Sequence, residues 1–209
     1  MTNPTLRPLS EARIAETAAL LGRAFADDPG YVYALPSAPR RPTQLRWLYE
    51  RIVRVSMPFE HVYGAGDDRS ELAAVTVWMP PGRGPGPVDM IRHGLLLFPL
   101  HVGPSATVRL MRCLVHMERV KAEIFRKRPH WYLDQLAVDP ARQGQGLGRF
   151  ALQQGIEDLL ARERAPLMLF TSKEKNVAFY QASGFAVTRN DWIGEPQDGF
   201  RLWTMQREA

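Results

Sequence analysis

The chain predicts an α/β fold with a mixed sheet, and three observations carry that reading. A short apolar strand ending in Leu136-Ala137-Val138 leads into a glycine turn, Gly144, Gly146 and Gly148, and then directly into a helix-periodic stretch. A second apolar strand, Pro166–Ser172, follows that helix, so strand–helix–strand stands at the centre of the pattern. Paired short apolar stretches on either side of this unit read as hairpins.

The elements follow in order along the chain. Thr5–Leu9 reads as a short first strand. Ile14, Ala18, Leu21 and Phe25 recur at helical spacing, and Asp27-Asp28-Pro29-Gly30 stops that helix. Leu45, Leu48, Ile52 and Val55 mark a second helix. Glu60 to Trp78 reads as a hairpin around a GDDRS turn, and its second strand, ELAAVTVWM, is apolar on both faces as an interior strand should be. Pro80–Pro87 (PPGRGPGP) is a loop. Helices are expected over Val88–Leu97 and Ala106–Arg126, then a strand over His130–Val138. After the glycine turn comes a helix carrying Leu152, Ile156, Leu159 and Leu160. Lys175–Ser183 reads as a short helix with Gly184 as its left-handed cap and Phe185 folding back on it. A closing hairpin, Phe185–Trp192 and Phe200–Gln206, ends the chain.

The totals set bounds on function. At 209 residues the chain can bury a real core, and 45% apolar with 23% charged residues is ordinary for a globular protein. One cysteine, Cys113, excludes an internal disulfide and fits a reducing compartment; it lies among Met111, Leu114 and Val115 and reads as a core filler. The N-terminus lacks the basic-then-apolar order of a secretory signal, and the most apolar run, Gly94 to Val102, is too short to span a bilayer. A cytoplasmic protein without membrane partners is expected. The formal charge of +5 favours anionic ligands, yet the basic residues are scattered. The one run, Arg126-Lys127-Arg128, suits a helix C-terminus, so nucleic acid is not an expected partner. His101, His116 and His130 lack metal-ligand spacing, and no metal is expected.

The segment LAVDPARQGQGLG (Leu136–Gly148) says most about function. A strand–turn–helix of this kind leaves backbone N–H groups unpaired at the helix start, aimed at one point that attracts an anion, most often a phosphate. Glycines there let a ligand approach the main chain. The spacing is G-x-G-x-G, not the G-x-G-x-x-G of a dinucleotide fingerprint, and no P-loop pattern occurs. Taken alone, the glycines could also make a tight strand–helix turn and nothing more.

The same segment resembles the GNAT superfamily of N-acetyltransferases, whose signature is Q/R-x-x-G-x-G/A. Here that is Gln143, Gly146 and Gly148 in RQGQGLG, after the strand end Leu136-Ala137-Val138. About thirty residues on, NVAFYQASGF (Asn176–Phe185) is similar to the second block of the family. The resemblance is firm over Trp131–Phe185. AFADDP, AAVTVWMPP and HWYLDQLAVDP resemble the branch that includes puromycin N-acetyltransferase. It implies the GNAT fold: a central mixed, mostly antiparallel twisted sheet flanked by helices, its fourth and fifth strands splayed. It also implies one domain over 1–209, with an acceptor-side half, 1–129, holding a helical insertion at 80–129, and a cofactor half at 130–209.

The resemblance further implies acetyl-CoA as donor co-substrate and an acceptor amine, of a small molecule in the first instance. Leu136, Ala137 and Val138 would meet the pantetheine arm. The N–H groups of Gln143, Gly144, Gln145, Gly146, Leu147 and Gly148 would hold the pyrophosphate, and Asn176 would meet the cofactor. Tyr180 would stand beside the thioester sulfur. A phenol of ordinary pKa ~10 can protonate a departing thiolate of ~8.5; the plain alternative is a core aromatic beside Phe179 and Phe185. An acceptor amine of pKa ~10.4 must lose a proton at neutral pH. Asp134, placed by simple alternation on one strand face with Leu136 and Val138, is the candidate base. It could instead fix a loop or attract a cation. Members of the puromycin branch often carry a glutamate in the fifth strand, as in YLETS or YLEAS, where this chain has Phe170 in MLFTS.

Phe25, Asp28 and Tyr31, with Asp27 and Tyr33 nearby, are candidates for the acceptor pocket, although two adjacent carboxylates also suit a capped turn. Glu118 and Glu123 read as the solvated side of a helix. Trp78, Trp131, Trp192 and Trp203 read as core or pocket-wall aromatics. Family members often pair, so a homodimer is compatible with the resemblance. A protein lysine or N-terminal acceptor, or a CoA-binding module without catalysis, are the competing readings.

Overall fold

In the computed structural model of the protein, residues 4–66, 71–126 and 128–209 are described. The expected turn at 67–70 and Lys127 of the basic run lie outside the described residues. The elements are β1 (Thr5–Pro8), α1 (Ile14–Ala24), α2 (Pro29–Ala34), α3 (Arg41–Ser56), β2 (Val62–Gly66), β3 (Leu72–Met79), α4 (Pro87–Arg92), α5 (Phe98–Val102) and α6 (Pro104–Phe125). Then come β4 (Trp131–Val138), α7 (Leu147–Arg162), β5 (Leu167–Thr171), α8 (Glu174–Gln181), β6 (Ala186–Ile193) and β7 (Phe200–Arg207).

All seven strands join one sheet in the order β1-β2-β3-β4-β5-β7-β6. Every pairing is antiparallel except β4 with β5, which is parallel because α7 carries the chain back across the sheet between them. This is the mixed, mostly antiparallel sheet expected of the GNAT fold. The β6–β7 hairpin turns back so that β7, not β6, completes the edge of β5.

Two cores cover the two faces of the sheet. On one face, Ile14, Leu21, Leu45, Tyr49 and Val53 of α1 and α3 pack on Val75 and Val77 of β3 and on Ala137 of β4. On the other, Leu152, Ile156 and Leu159 of α7 pack on Trp78, Trp131, Leu133, Leu167 and Leu169. With both faces covered, β3 is buried along nearly its whole length, which is why its sequence does not alternate. Trp192 of β6, by contrast, is exposed.

The long helix α6 crosses the first face, placing Cys113 against Tyr33, Phe200 and Leu202, and Phe125 against Tyr132 and Met168. Cys113 is buried as a core filler, and burial pushes its thiol up to about 12.

The single helix expected over Val88–Leu97 is not formed. Helix α4 ends at Arg92, Gly94 adopts a left-handed φ of 74°, Leu95–Leu97 make one 3-10 turn, and Pro99 begins α5 in its first turn. Gly94 breaks the run because glycine accommodates the reversal, and Pro99 lies beyond it in the first turn of α5, where its missing N–H is tolerated. The apolar residues across Val88–Leu97 conceal the break at Gly94. The segment docks on α3 through a stack in which Trp47 meets His101 at 4.4 Å and the Arg51 guanidinium lies 3.6 Å over the same indole.

Helix α8 ends as its sequence foretells. Gly184 has φ +85°, its N–H donates to the Gln181 carbonyl at 3.0 Å, and the Phe185 N–H donates to the Tyr180 carbonyl at 3.1 Å. This is a Schellman closure, with the Phe185 and Tyr180 rings 6.0 Å apart as its apolar contact. A Cβ at Gly184 would stand 3.4 Å from Arg207 and would force a left-handed side-chain residue. Gly184→Ala should therefore lose about 1–2 kcal/mol, a fall in Tm of about 2–8 °C in a thermal melt.

Candidate active site

The site is built where β4 and β5 part. Their parallel ladder covers Trp131 to Leu133 against Leu167 to Leu169 and then ends, although both strands continue. From Asp134 to Val138, the edge of β4 facing β5 has no ladder partner. At the same fork the antiparallel register of β4 with β3 slips: Val77 pairs with Gln135 but Trp78 with Leu133, so Asp134 is the extra residue of a β-bulge.

The bulge changes which face Asp134 occupies. Leu136 and Val138 pack toward α7, whereas Ala137 belongs to the core under α1 and α3, and Gln135 meets Tyr49 of α3 at 3.3 Å. Asp134 interacts with Gln135, Tyr132, Lys121 and Tyr31, all on the α3 and α6 side. The expectation that Asp134 shares a face with Leu136 and Val138 is thus corrected. Strict alternation predicts that shared face, and one bulged residue reverses it.

Asp134 is half-buried in this position. Burial pushes its carboxyl above the ordinary carboxylate value, against the pull of the Lys121 charge and of hydrogen bonds with Gln135 and Tyr132. Around it stand residues that sequence inspection missed. Tyr49, Tyr132 and Gln135 are all buried, and burial holds both phenols well above their ordinary values. One signal was available: Gln135 is a polar residue inside an otherwise apolar strand end.

Phe25, Tyr31 and Tyr49 form an aromatic triad, with ring centroids 5.5 to 6.0 Å apart. Asp28 lies beside it and has a definite local task. It caps α2, accepting the Gly30 N–H at 3.0 Å, and it accepts the Ser172 hydroxyl at 2.7 and 2.8 Å just past the end of β5. Burial raises its carboxyl, with Ser172 the strongest counter-influence. Asp27, itself exposed, instead pairs at 2.6 Å with Lys173, whose side chain is mostly covered. Together these contacts tie the α1–α2 turn to the far lip of the seam. Phe170, on the adjacent stretch of β5, meets Tyr132 edge-on at 6.1 Å.

Tyr180 is 7% exposed and belongs to the same core cluster as Leu133 and Leu169, the last paired residues at the fork. Burial, with a smaller contribution from Asp28, raises its phenol well above the ordinary value. It therefore stays protonated across the neutral range, as an acid must.

At the other end of the seam the glycine turn divides into two functions. Gly144 and Gly146 have φ of +79° and +78°, and a Cβ on either would meet nothing within 4 Å. Gly146 is the N-cap of α7 and has no capping side chain, so the first N–H groups of that helix point outward. Gly148 differs: a Cβ there would lie 3.2 Å from Val138 and 3.7 Å from Phe179, so this glycine lets α7 approach β4 and α8. Leu147 and Gly148 are partly buried, and Gln143 and Gln145 are exposed. The Gln143 side chain donates to the Val138 carbonyl at 3.3 Å, tying the turn to the strand end. Asn176 donates to Thr171 at 3.3 Å, across the end of β5.

The two ends and the fork are thus brought together by one strand and the turn after it. A mixed sheet is opened between its parallel strands, with the uncapped start of α7 at one end and the buried Tyr180 phenol at the fork. Residues 109–185 match the model of the acetyltransferase (GNAT) family.

Solved structures agree in fold. A protein of Corynebacterium glutamicum described as histone acetyltransferase HPA2 and related acetyltransferase superposes with a TM-score of 0.66 at 22% identity, covering 100% of this chain and 98% of that one. Arylalkylamine N-acetyltransferase 2 of Aedes aegypti gives 0.69 at 14% identity, covering 99% of each chain. A polyamine N-acetyltransferase of Drosophila melanogaster gives 0.62 at 14% identity, covering 99% and 100%. Among the described residues, no helix is long and apolar enough to cross a membrane, and no group of three potential ligands could hold a metal ion.

Proposed function

We propose that the protein transfers an acetyl group from acetyl-CoA to the primary amine of a small molecule, by direct attack of the amine on the thioester. The observation that carries this reading is the parting of β4 from β5 beyond Leu133 and Leu169, with Asp134 bulged at the fork. The residues present suit the donor. Open space above Gly144 and Gly146 and the uncapped start of α7 fit a diphosphate, which the N–H groups of Gln143 to Gly148 would hold. The unpaired edge at Leu136, Ala137 and Val138 would bond an extended amide-bearing arm, and Asn176 would help seat it. The donor supplies an activated acyl group; the chain supplies its placement.

Tyr180 would give its proton to the departing thiolate. Asp134 would take one from the incoming ammonium, and Phe25, Asp28 and Tyr31 would line the acceptor side. Main-chain dipoles already fixed along the open edge cost no reorganisation during transfer. The fold neighbours from Aedes aegypti and Drosophila melanogaster, an arylalkylamine and a polyamine N-acetyltransferase, support a small amine acceptor. We further read the chain as nearest the puromycin N-acetyltransferase-like branch, cytoplasmic, and divided into acceptor-side (1–129) and donor-side (130–209) halves. Calorimetry with acetyl-CoA should show saturable heat on folded protein. A thiol-release screen across polyamines, aminonucleosides, aminoglycosides and amino acids should then find the acceptor. Absence of heat would end this reading.

Asp134 gives a sign that can be checked twice. Its carboxyl is raised in the folded protein, so the fold binds a proton to higher pH than the unfolded chain does. Stability linked to this group is complete below the ordinary carboxylate value and is lost as pH rises through the raised one. Asp134→Asn should therefore melt higher than the native protein at pH 7, with the difference vanishing below about pH 4. The same variant should lose acetyl transfer to the acceptor found in the screen. Equal melting at both pH values would contradict the assigned burial.

A further inference from the structure

Helix α6 presents one cation to the fork, and it is not on the solvated side of the helix. The Lys121 side chain is 17% exposed, its ammonium lies 3.7 Å over the Tyr132 ring, and it donates to Glu118 at 2.7 Å. The register of α6 is set by Phe125, which packs on Tyr132 and Met168 one turn further along. Tyr132 in turn hydrogen-bonds Asp134 from the same strand. We propose that Lys121 is a positioning residue, whose ammonium, seated on the Tyr132 ring, supplies the positive charge that faces the Tyr132–Asp134 pair at the fork.

The argument is electrostatic and steric. An ammonium over an aromatic face is held by the ring quadrupole, more strongly as water is excluded. The groups facing Asp134 are Lys121 and Glu118 from α6, Tyr31 from α2, Tyr49 from α3, and Tyr132 and Gln135 from β4. Lys121 is the cation among them, so it opposes the desolvation that would otherwise keep the carboxyl protonated. Glu118, 71% exposed, pulls the other way, both by its own charge and by its hold on the ammonium. The inference rests on the proposed role of Asp134 as base, but its test does not need turnover.

The test is a pH titration of protein carrying 13C-labelled aspartate side chains, with the Asp134 carboxyl resonance assigned by its loss in Asp134→Asn. Lys121→Met should move the Asp134 midpoint upward, by about one pH unit if the two charges lie within about 4–6 Å of one another, because a neighbouring opposite charge favours the ionised form. Lys121→Arg, which keeps a cation on the ring, should restore a midpoint near the native one. Glu118→Gln, at an exposed position that leaves packing intact, should move the midpoint downward. Native midpoints in both Lys121→Met and Glu118→Gln would overturn the inference. If Lys121→Met fails to fold, an unmoved midpoint in Glu118→Gln overturns it alone. Shifted midpoints in a protein that releases no thiol with any amine would tell against the transfer reading while leaving this one standing.

Discussion

Tyr180→Phe should bind acetyl-CoA as the native protein does and turn over about 10²–10⁴-fold more slowly, the range a positioned general acid contributes. The substitution removes one oxygen and leaves the ring. That ring is held by Phe179 at 5.1 Å and Phe185 at 6.0 Å, and the Tyr180 carbonyl remains the acceptor of the helix closure. The fold should therefore survive, and a melt close to native would confirm it. What is lost is a donor that burial keeps protonated well above the range where a thiolate needs a proton. Because the phenol is raised, the native enzyme should show no loss of activity from Tyr180 ionisation up to at least about pH 10. Native turnover in Tyr180→Phe, measured by thiol release at saturating donor, would remove the proposed acid and return Tyr180 to the core.

Gly146→Glu should abolish measurable binding of acetyl-CoA. Two effects act at one position. Gly146 is the N-cap of α7 with φ +78°, so any side-chain residue there pays about 1–2 kcal/mol of backbone strain. Its Cβ direction is open, so a carboxylate would project into the space where the proposed diphosphate would lie, against the same N–H groups. Gly146→Ala separates the two: it carries the strain without the charge, and should weaken binding far less. Calorimetry on both variants, with circular dichroism to verify folding, decides the matter. Tight binding retained in Gly146→Glu would reject the phosphate cradle.

Much of this fold was legible because its signals are local. Gly184 and Phe185 announce a helix closure within three residues, and the structure forms it with both expected hydrogen bonds. ELAAVTVWM announces a strand covered on both faces, and β3 is one. Legibility ended where a local pattern was broken by a residue that the pattern treats as neutral. Val88–Leu97 reads as one helix, yet Gly94 divides it, and the segment that follows is held by Trp47 and Arg51 from a distant helix.

The candidate site divides in the same way. The turn at Gly144 and Gly146, the start of α7 and the place of Tyr180 on α8 are written in runs of a few residues, because turn and cap chemistry depend on immediate neighbours. Gly148 looked like its companions and proved to be a packing glycine, since its contacts with Val138 and Phe179 come from separate elements. Asp134 shows the division most sharply. Its residue type and strand were plain, but its face was set by a register slip between β3 and β4, and its charge environment by Lys121 of α6 and Tyr49 of α3. Sequence alone thus determined most of the elements and the glycine turn before α7, whose hydrogen bonds close over three to five residues. Tertiary structure alone decided where the strands part and which side chains meet at the fork, because pairing register and burial are properties of segments that the chain brings together from far apart.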